Sequence, residues 1–242
     1  MDLGLKDRRA LVTASSRGLG RACAEALGAE GARVFICSRD ASAIEATGRA
    51  IKAAGWAPAD MSQEGEPEGV VELAVSKLGG LDVLVVNAGG PPRGTFQTTP
   101  LESWEPAFHL TLMSAVRLVK AALPSLKQSG QGRIVFITSI SVRQPIPNLI
   151  LSNSLRAGVT GLAKTLSREV AAERITVNCL APDAILTDRV RELGLSASSS
   201  PMGRFGDPSE FGAACAFLCS KQAAYITGQT LGVDGGSLLG VH

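Results

Sequence analysis

The chain has one tyrosine, Tyr225, and two histidines, His109 and His242, among its 242 residues. Neither histidine has a partner at ligand spacing, which argues against a metal site. An excess of one charge is also missing. The 24 Lys and Arg are interspersed with 22 Asp and Glu, for a formal net charge of +2. No basic stripe results, so a nucleic-acid partner is not implied. No apolar run approaches the roughly 20 residues of a membrane span. Met1–Lys6 lacks the apolar core of a secretory signal, and a cytoplasmic location is expected. The five cysteines have no regular spacing and are odd in number, which fits reduced thiols. Cys215 and Cys219 share a helical face, where buried apolar thiols are a simpler reading than metal ligands.

What the chain does have is apolar mass, 45% of its residues, enough for a large core in a single domain spanning 1–242. Its organising stretch is Thr13-Ala14-Ser15-Ser16-Arg17-Gly18-Leu19-Gly20. It follows the apolar run Arg9–Val12 and opens a segment with Ala22, Ala26 and Ala29 on one helical face. Gly31 stops that segment, and a second apolar run, Arg33–Cys37, follows. Strand, glycine turn, helix and strand within roughly 30 residues make the βαβ unit of a nucleotide-binding fold. Small residues let the backbone approach a pyrophosphate, whose charge the helix N-terminal N–H groups bind. An ordinary strand-to-helix turn is the competing reading.

Along the chain, helical spacing is expected over Ala41–Ala54, Glu66–Leu78, Trp104–Lys127, Leu155–Val170 and Pro208–Cys219. Ser103 is the expected N-cap of the third, with Pro106 in its first turn. Strands are expected at Trp56–Ala59, Asp82–Val86, Arg133–Thr138, Ile175–Leu180 and Thr230–Val233. Asp183–Phe205 reads as loop, with the low-complexity stretch Ser196–Ser200, and residues 184–205 as a mobile substrate lid. Strands alternating with helices imply an α/β fold: a single doubly wound parallel sheet of about seven strands, helices on both faces, ligands at the strands' carboxyl ends.

These residues resemble the short-chain dehydrogenase/reductase family over nearly the whole length, and most closely its 3-oxoacyl-carrier-protein reductase-like branch. The motifs come in order: Thr13–Gly20, Asp60, Asn87-Ala88-Gly89, Gly132–Ser139, Ile175–Asn178 before Pro182, and Tyr225–Gln229 leading to Asp234-Gly235-Gly236. The resemblance implies that Ser15, Arg17, Gly18 and Gly20 contact the cofactor pyrophosphate, with Thr13 and Ser16 in the same turn. It places Asp60 and Met61 by the adenine, Asn87 and Gly89 by the ribose, and Pro182 and Thr187 by the nicotinamide. The second strand ends in Ser38-Arg39 where an acidic residue would select a 2′-hydroxyl. Arg39 with Arg17 suits a 2′-phosphate, which favours NADP(H) over NAD(H). Two solvated surface arginines remain the alternative. The family also implies a homotetramer or homodimer, with the long helices Trp104–Lys127 and Leu155–Ala172 paired across an interface. The expected substrate is a small-molecule carbonyl or acyl compound.

The family's hydride-transfer chemistry uses serine, tyrosine, lysine and asparagine, and here the pattern breaks. The serine is present as Ser139. By position, Ser152 replaces the tyrosine, Arg156 the lysine and Thr111 the asparagine. An aliphatic hydroxyl is far less acidic than a phenol held near a cation, so Ser152 is a poor acid at pH 7. Arg156 keeps a fixed charge and can bind ribose hydroxyls or an anionic group, but it cannot shuttle protons. Tyr225, in the C-terminal motif, cannot step in. Ala14 stands where the first glycine is usual, and Asp183 replaces the glycine after Pro182. Asp183 reads either as a substitute acid or cation-binding group or as a solvated loop carboxylate, and His109 as a surface or packing residue. Three functions stay open: an NADP(H)-linked oxidoreductase with an atypical proton relay; a nucleotide-binding sensor, partner subunit or scaffold without turnover; or a lyase or isomerase using Asp183.

Overall fold

A computed structural model of the chain describes residues 1–192 and 200–240. Seven strands form its sheet: β1 (Arg9–Val12), β2 (Arg33–Ser38), β3 (Gly55–Pro58), β4 (Val83–Val86), β5 (Arg133–Ile137), β6 (Thr176–Pro182) and β7 (Thr230–Val233). All pair in parallel, in the order β3-β2-β1-β4-β5-β6-β7. Leu11 lies opposite both Phe35 and Leu84, which centres β1 in the sheet. The order reverses between β1 and β4. That reversal opens the crevice in which such sheets bind ligands.

Every residue of β4 and β5 is buried, because helices cover both faces. On one face lie α1 (Gly18–Ala29), α2 (Ala41–Ala50) and α8 (Pro208–Cys219). Their Leu27, Ile44 and Phe211 pack with Val12, Ile36 and Val85. The other face carries α3 (Glu66–Leu78), α5 (Ser114–Ser129) and α6 (Ile150–Glu169). There Val71, Leu118 and Ala163 join Leu11, Phe35 and Phe136. Helices α1 and α8 approach so closely that a Cβ on Gly212 would lie 2.5 Å from the Ala22 carbonyl oxygen. An Asp207–Glu210 capping box starts α8.

At the opposite end of the sheet, Asp82 joins β4 to β1. Its Oδ2 accepts from Arg9 N and Nε at 2.8 Å each, and its Oδ1 from Nη2 at 2.7 Å. Burial opposes ionisation of Asp82, but the bonds from Arg9 outweigh it and bring the carboxyl down to about 2.

Several boundaries depart from the sequence pattern. Helix α2 stops at Ala50, and Lys52 turns the chain in the left-handed region at φ +54°. The expected single helix from Trp104 is α4 (Trp104–Phe108), a π-helical turn His109–Met113, and then α5. Ser103 does not cap it. Ser103 ends a 3-10 turn in right-handed helical geometry and makes no side-chain capping bond, since the chain is already helical there. Helix α6 starts at Ile150, earlier than its apolar spacing indicates. The expected loop Asp183–Phe205 contains a short helix, α7 (Asp188–Glu192). The stretch 196–199 and part of the expected lid 184–205 lie outside the described residues.

Candidate active site

The turn after β1 is locked from inside. Thr13, fully buried, donates through Oγ1 to the Asn87 carbonyl at 2.7 Å and accepts from Asn87 N at 2.9 Å. Asn87 Nδ2 then donates to the Ala14 carbonyl at 3.0 Å. Ser15, also fully buried, donates through Oγ to Val12 and accepts from Cys37 N. The side chains of Thr13 and Ser15 are therefore spent on the scaffold. Their hydroxyls shape the crevice rather than face it. Met61 likewise sits in the core with 4% exposure. Asp60 accepts from the N–H and hydroxyl of Ser62, so its carboxylate closes its own turn.

The open groups are those of the helix end. Arg17, exposed at the N-cap of α1, makes no side-chain capping bond to the first-turn N–H groups. Gly18 is at φ +60°, a conformation suited to glycine. A Cβ on Gly20 would lie 2.5 Å from the Ala14 carbonyl oxygen and 2.8 Å from Asn87 Nδ2. A side-chain-free helix N-terminus backed by a buried frame fits a pyrophosphate. Gly89 is exposed with nothing near its Cβ direction, and Thr187 Cγ2 lies 3.7 Å from the Cβ direction of Gly18. Glycine turn and Thr187 thus face one crevice. Ser38 is buried and donates to the Asp40 carbonyl, whereas Arg39 beside it is exposed. Thr47, on α2, donates to the Ser16 carbonyl at 2.8 Å and ties that helix to the turn. Nothing in the sequence marks Thr47 for this role.

Ser139 follows β5 in extended backbone and caps a 3-10 turn, its Oγ accepting from Ser141 N at 3.1 Å. Because that bond uses an oxygen lone pair, the hydroxyl proton remains a donor. Ser152 and Arg156 lie four residues apart on α6, on one face. Arg156 Nη1 donates to the Ile137 carbonyl at 2.8 Å, at the end of β5 and two residues before Ser139. Ser152 is 8% exposed, and its hydroxyl makes no hydrogen bond to another described residue. Thr111 lies in the π-helical turn with 4% exposure, and its Oγ1 is buried without a partner among the described residues. That turn packs on α6, where Leu112 meets Gly158.

The remaining candidates stand apart. Asp183 lines a cavity of about 340 Å³ between the ends of β6 and β7, with Asp234 and Arg204. His109 stacks edge-on against Phe108 and sits 3.9 Å from Glu105. Tyr225 is fully exposed. All five cysteines are buried and unbridged, and burial pushes Cys37 up to about 12 and Cys179 to about 11. Among the described residues, no helix is long and apolar enough to cross a membrane, and no group of three His, Cys, Asp or Glu could hold a metal.

The chain is similar to known proteins over nearly its whole length. The family described as Enoyl-(Acyl carrier protein) reductase matches residues 13–237. Dehydrogenase/reductase SDR family member 4 of Sus scrofa is 33% identical over 245 residues, covering 96% of this chain and 88% of that protein. The 3-oxoacyl-acyl-carrier-protein reductase FabG of Vibrio cholerae is 35% identical over 240 residues, covering 97% and 98%. Among solved structures, L-sorbose reductase from Gluconobacter frateurii, complexed with NADPH and L-sorbose, superposes with a TM-score of 0.95. It shares 30% identity, and each chain is covered over 100% of its length.

Proposed function

The chain belongs to the short-chain dehydrogenase/reductase family, and from that premise we propose that it is an NADP(H)-linked oxidoreductase of a small carbonyl compound, of 3-oxoacyl or other ketone type. The observation that carries the reading is the intact turn, with the α1 N-terminus open and Gly20 pressed against Ala14 and Asn87. In this reading the α1 N–H groups bind the pyrophosphate and Arg39 the 2′-phosphate. NADP(H), when bound, supplies or accepts the hydride. Ser139 donates a hydrogen bond to the carbonyl oxygen and keeps its proton, and Arg156 offsets negative charge that develops beside it. The proton arrives from water admitted where a tyrosine ring would stand, since neither Ser152 nor Arg156 is an acid at neutral pH.

The reading extends to a single domain working as a cytoplasmic homotetramer or homodimer. The oligomer is supported by exposed Phe96, Leu101 and Phe108 in and before α4, by Phe217 on α8 and by Leu231 on β7. Light scattering on the purified chain tests that part directly.

A second reading, a nucleotide-binding protein without turnover, is favoured by one observation. Arg156 is anchored on the Ile137 carbonyl, and no phenol is near it. Titration with NADPH and NADH, followed by thermal unfolding and nicotinamide fluorescence, tests the premise of both. At 100 times its dissociation constant a ligand adds about 2.7 kcal/mol to the native state. Stabilisation by NADPH above NADH, reduced by Arg39→Ala, is expected. No response to either dinucleotide would sink both readings. Binding without turnover on any ketone would leave the second.

A further inference from the structure

The amino end of the sheet, opposite the crevice, is rich in arginine. Arg8 precedes β1, Arg9 and Arg33 begin β1 and β2, and Arg133 begins β5. All but one of these meet a helix end. Arg9 Nη1 donates to the Gly79 carbonyl at 2.7 Å and Arg33 Nη1 to the Leu78 carbonyl at 3.0 Å, where α3 stops. Arg133 Nε donates to the Ser220 carbonyl at 3.2 Å, where α8 stops. Cations at these places complement the negative end of the helix dipole. Arg8 is the exception. Its Nη2 donates at 2.6 Å to the Gln131 carbonyl, the same oxygen that Arg133 Nη1 uses at 3.1 Å. Two guanidiniums, each more than nine-tenths buried, thus converge on one carbonyl. Neither has an ion pair among the described residues. Asp82, the buried carboxylate at this end, binds Arg9 with both oxygens. Burial lowers the pKa of Arg8 and Arg133 alike, and the charge of Arg8 lowers that of Arg133 further. Arg8 Nε is buried with no acceptor among the described residues. Thr176 Oγ1, opposite Arg133 in the strand register, is a second buried group without a partner there.

Burying a charge is costly unless it is paired, and most costly where a donor meets nothing. Arg133 is offset by three carbonyls, those of Gln131, Gly132 and Ser220. Arg8 has a single carbonyl, and shares it. We propose that Arg8 holds a small inorganic anion of the halide class through Nε, with Arg133 adding its charge from beside it. An anion supplies the missing acceptor and the missing counter-charge in one group, whereas water supplies the acceptor alone. With Nη2 on Gln131, the buried donor left to a ligand is one N–H rather than a fork. That suits a monatomic ion above a planar carboxylate. The site lies at the other end of the sheet from the glycine turn and does not depend on the oxidoreductase reading.

The test is thermal unfolding of the full chain, freed of halide, in rising sodium chloride against sodium gluconate. Equal ionic strength in the two series cancels charge screening. Chloride is expected to raise the midpoint above gluconate by about 2–4 °C and then to saturate, as binding to one site requires. Arg8→Gln keeps a polar side chain without the charge and is expected to abolish that difference. Arg33→Gln, at the end of α3, is expected to keep it. Crystals grown in sodium bromide read the site directly, through an anomalous peak within hydrogen-bond reach of Arg8 Nε. Equal midpoints in the two salts, a chloride response unchanged in Arg8→Gln, or a water in place of bromide at Nε would overturn the proposal. If Arg8→Gln does not fold, the wild-type salt comparison and the bromide map decide. Neither readout involves a dinucleotide, so failure here leaves the oxidoreductase reading standing.

Discussion

The Thr13 hydroxyl and the Asn87 main chain hold one another through two bonds, Oγ1 to the carbonyl at 2.7 Å and N to Oγ1 at 2.9 Å. They join the ends of β1 and β4, the two strands at which the sheet order reverses. Thr13→Val keeps the shape and leaves a buried N–H and carbonyl unmet. A loss of about 1–3 kcal/mol in urea unfolding is expected. Dinucleotide affinity should fall with it, because Asn87 also carries the Ala14 carbonyl. An unchanged urea midpoint would show that the pair does not fix the crevice.

Ala14 sits at φ +47°, in the left-handed region where a Cβ is strained by roughly 1 kcal/mol. Ala14→Gly should raise the unfolding midpoint, since relief of strain exceeds the added chain entropy only if that φ is imposed by the fold. Gly20→Ala is the opposite case. Its Cβ would meet backbone and the Asn87 amide, so NADPH binding should drop sharply while the sheet persists by circular dichroism.

Restoring the missing acid is expected to raise turnover. The double variant Ser152→Tyr, Arg156→Lys supplies a phenol beside an ammonium, whose pKa that cation lowers. Steady-state NADPH oxidation on a small neutral ketone should rise at least about tenfold, with a new basic limb in the pH profile. A flat result would mean that proton delivery is not what limits the natural chain.

Acid stability should depend on Asp82. Its carboxyl lies at about 2 in the fold against an ordinary 3.8, so the stabilisation is present above about pH 4 and lost as pH falls toward 2. After solvent screening the contribution is about 1–2 kcal/mol. Asp82→Asn should flatten the stability curve between pH 5 and 2 on the order of that amount, measured by urea titration. An equally steep curve would place the acid sensitivity elsewhere.

Cys23, Cys37, Cys179, Cys215 and Cys219 are all buried. A thiol reagent should find none quickly at neutral pH and all five after denaturation, because burial keeps the reagent from reaching the sulfurs. Fast reaction of any one in the native protein would contradict its placement.

Much of this molecule is written locally. Alternating strand and helix runs, and the bounds of α3 and α8, follow from apolar spacing and stop residues that need no tertiary partner. The glycine turn and Ser139 are legible for the same reason, since each depends on neighbours in the chain. The expectation that Thr111, Ser152 and Arg156 stand at the family's asparagine, tyrosine and lysine positions rests on counting along the chain alone. Tertiary structure decided where side chains point. Ser15 reads as a ligand contact until β2 arrives beside it and captures its hydroxyl. Arg156 reads as a free cation over the cofactor until the end of β5 supplies a carbonyl. Ser103 reads as a cap until Leu101–Ser103 extends the helix before it. In each case the competing partner comes from an element distant in sequence or from a backbone angle, and residue order alone encodes neither.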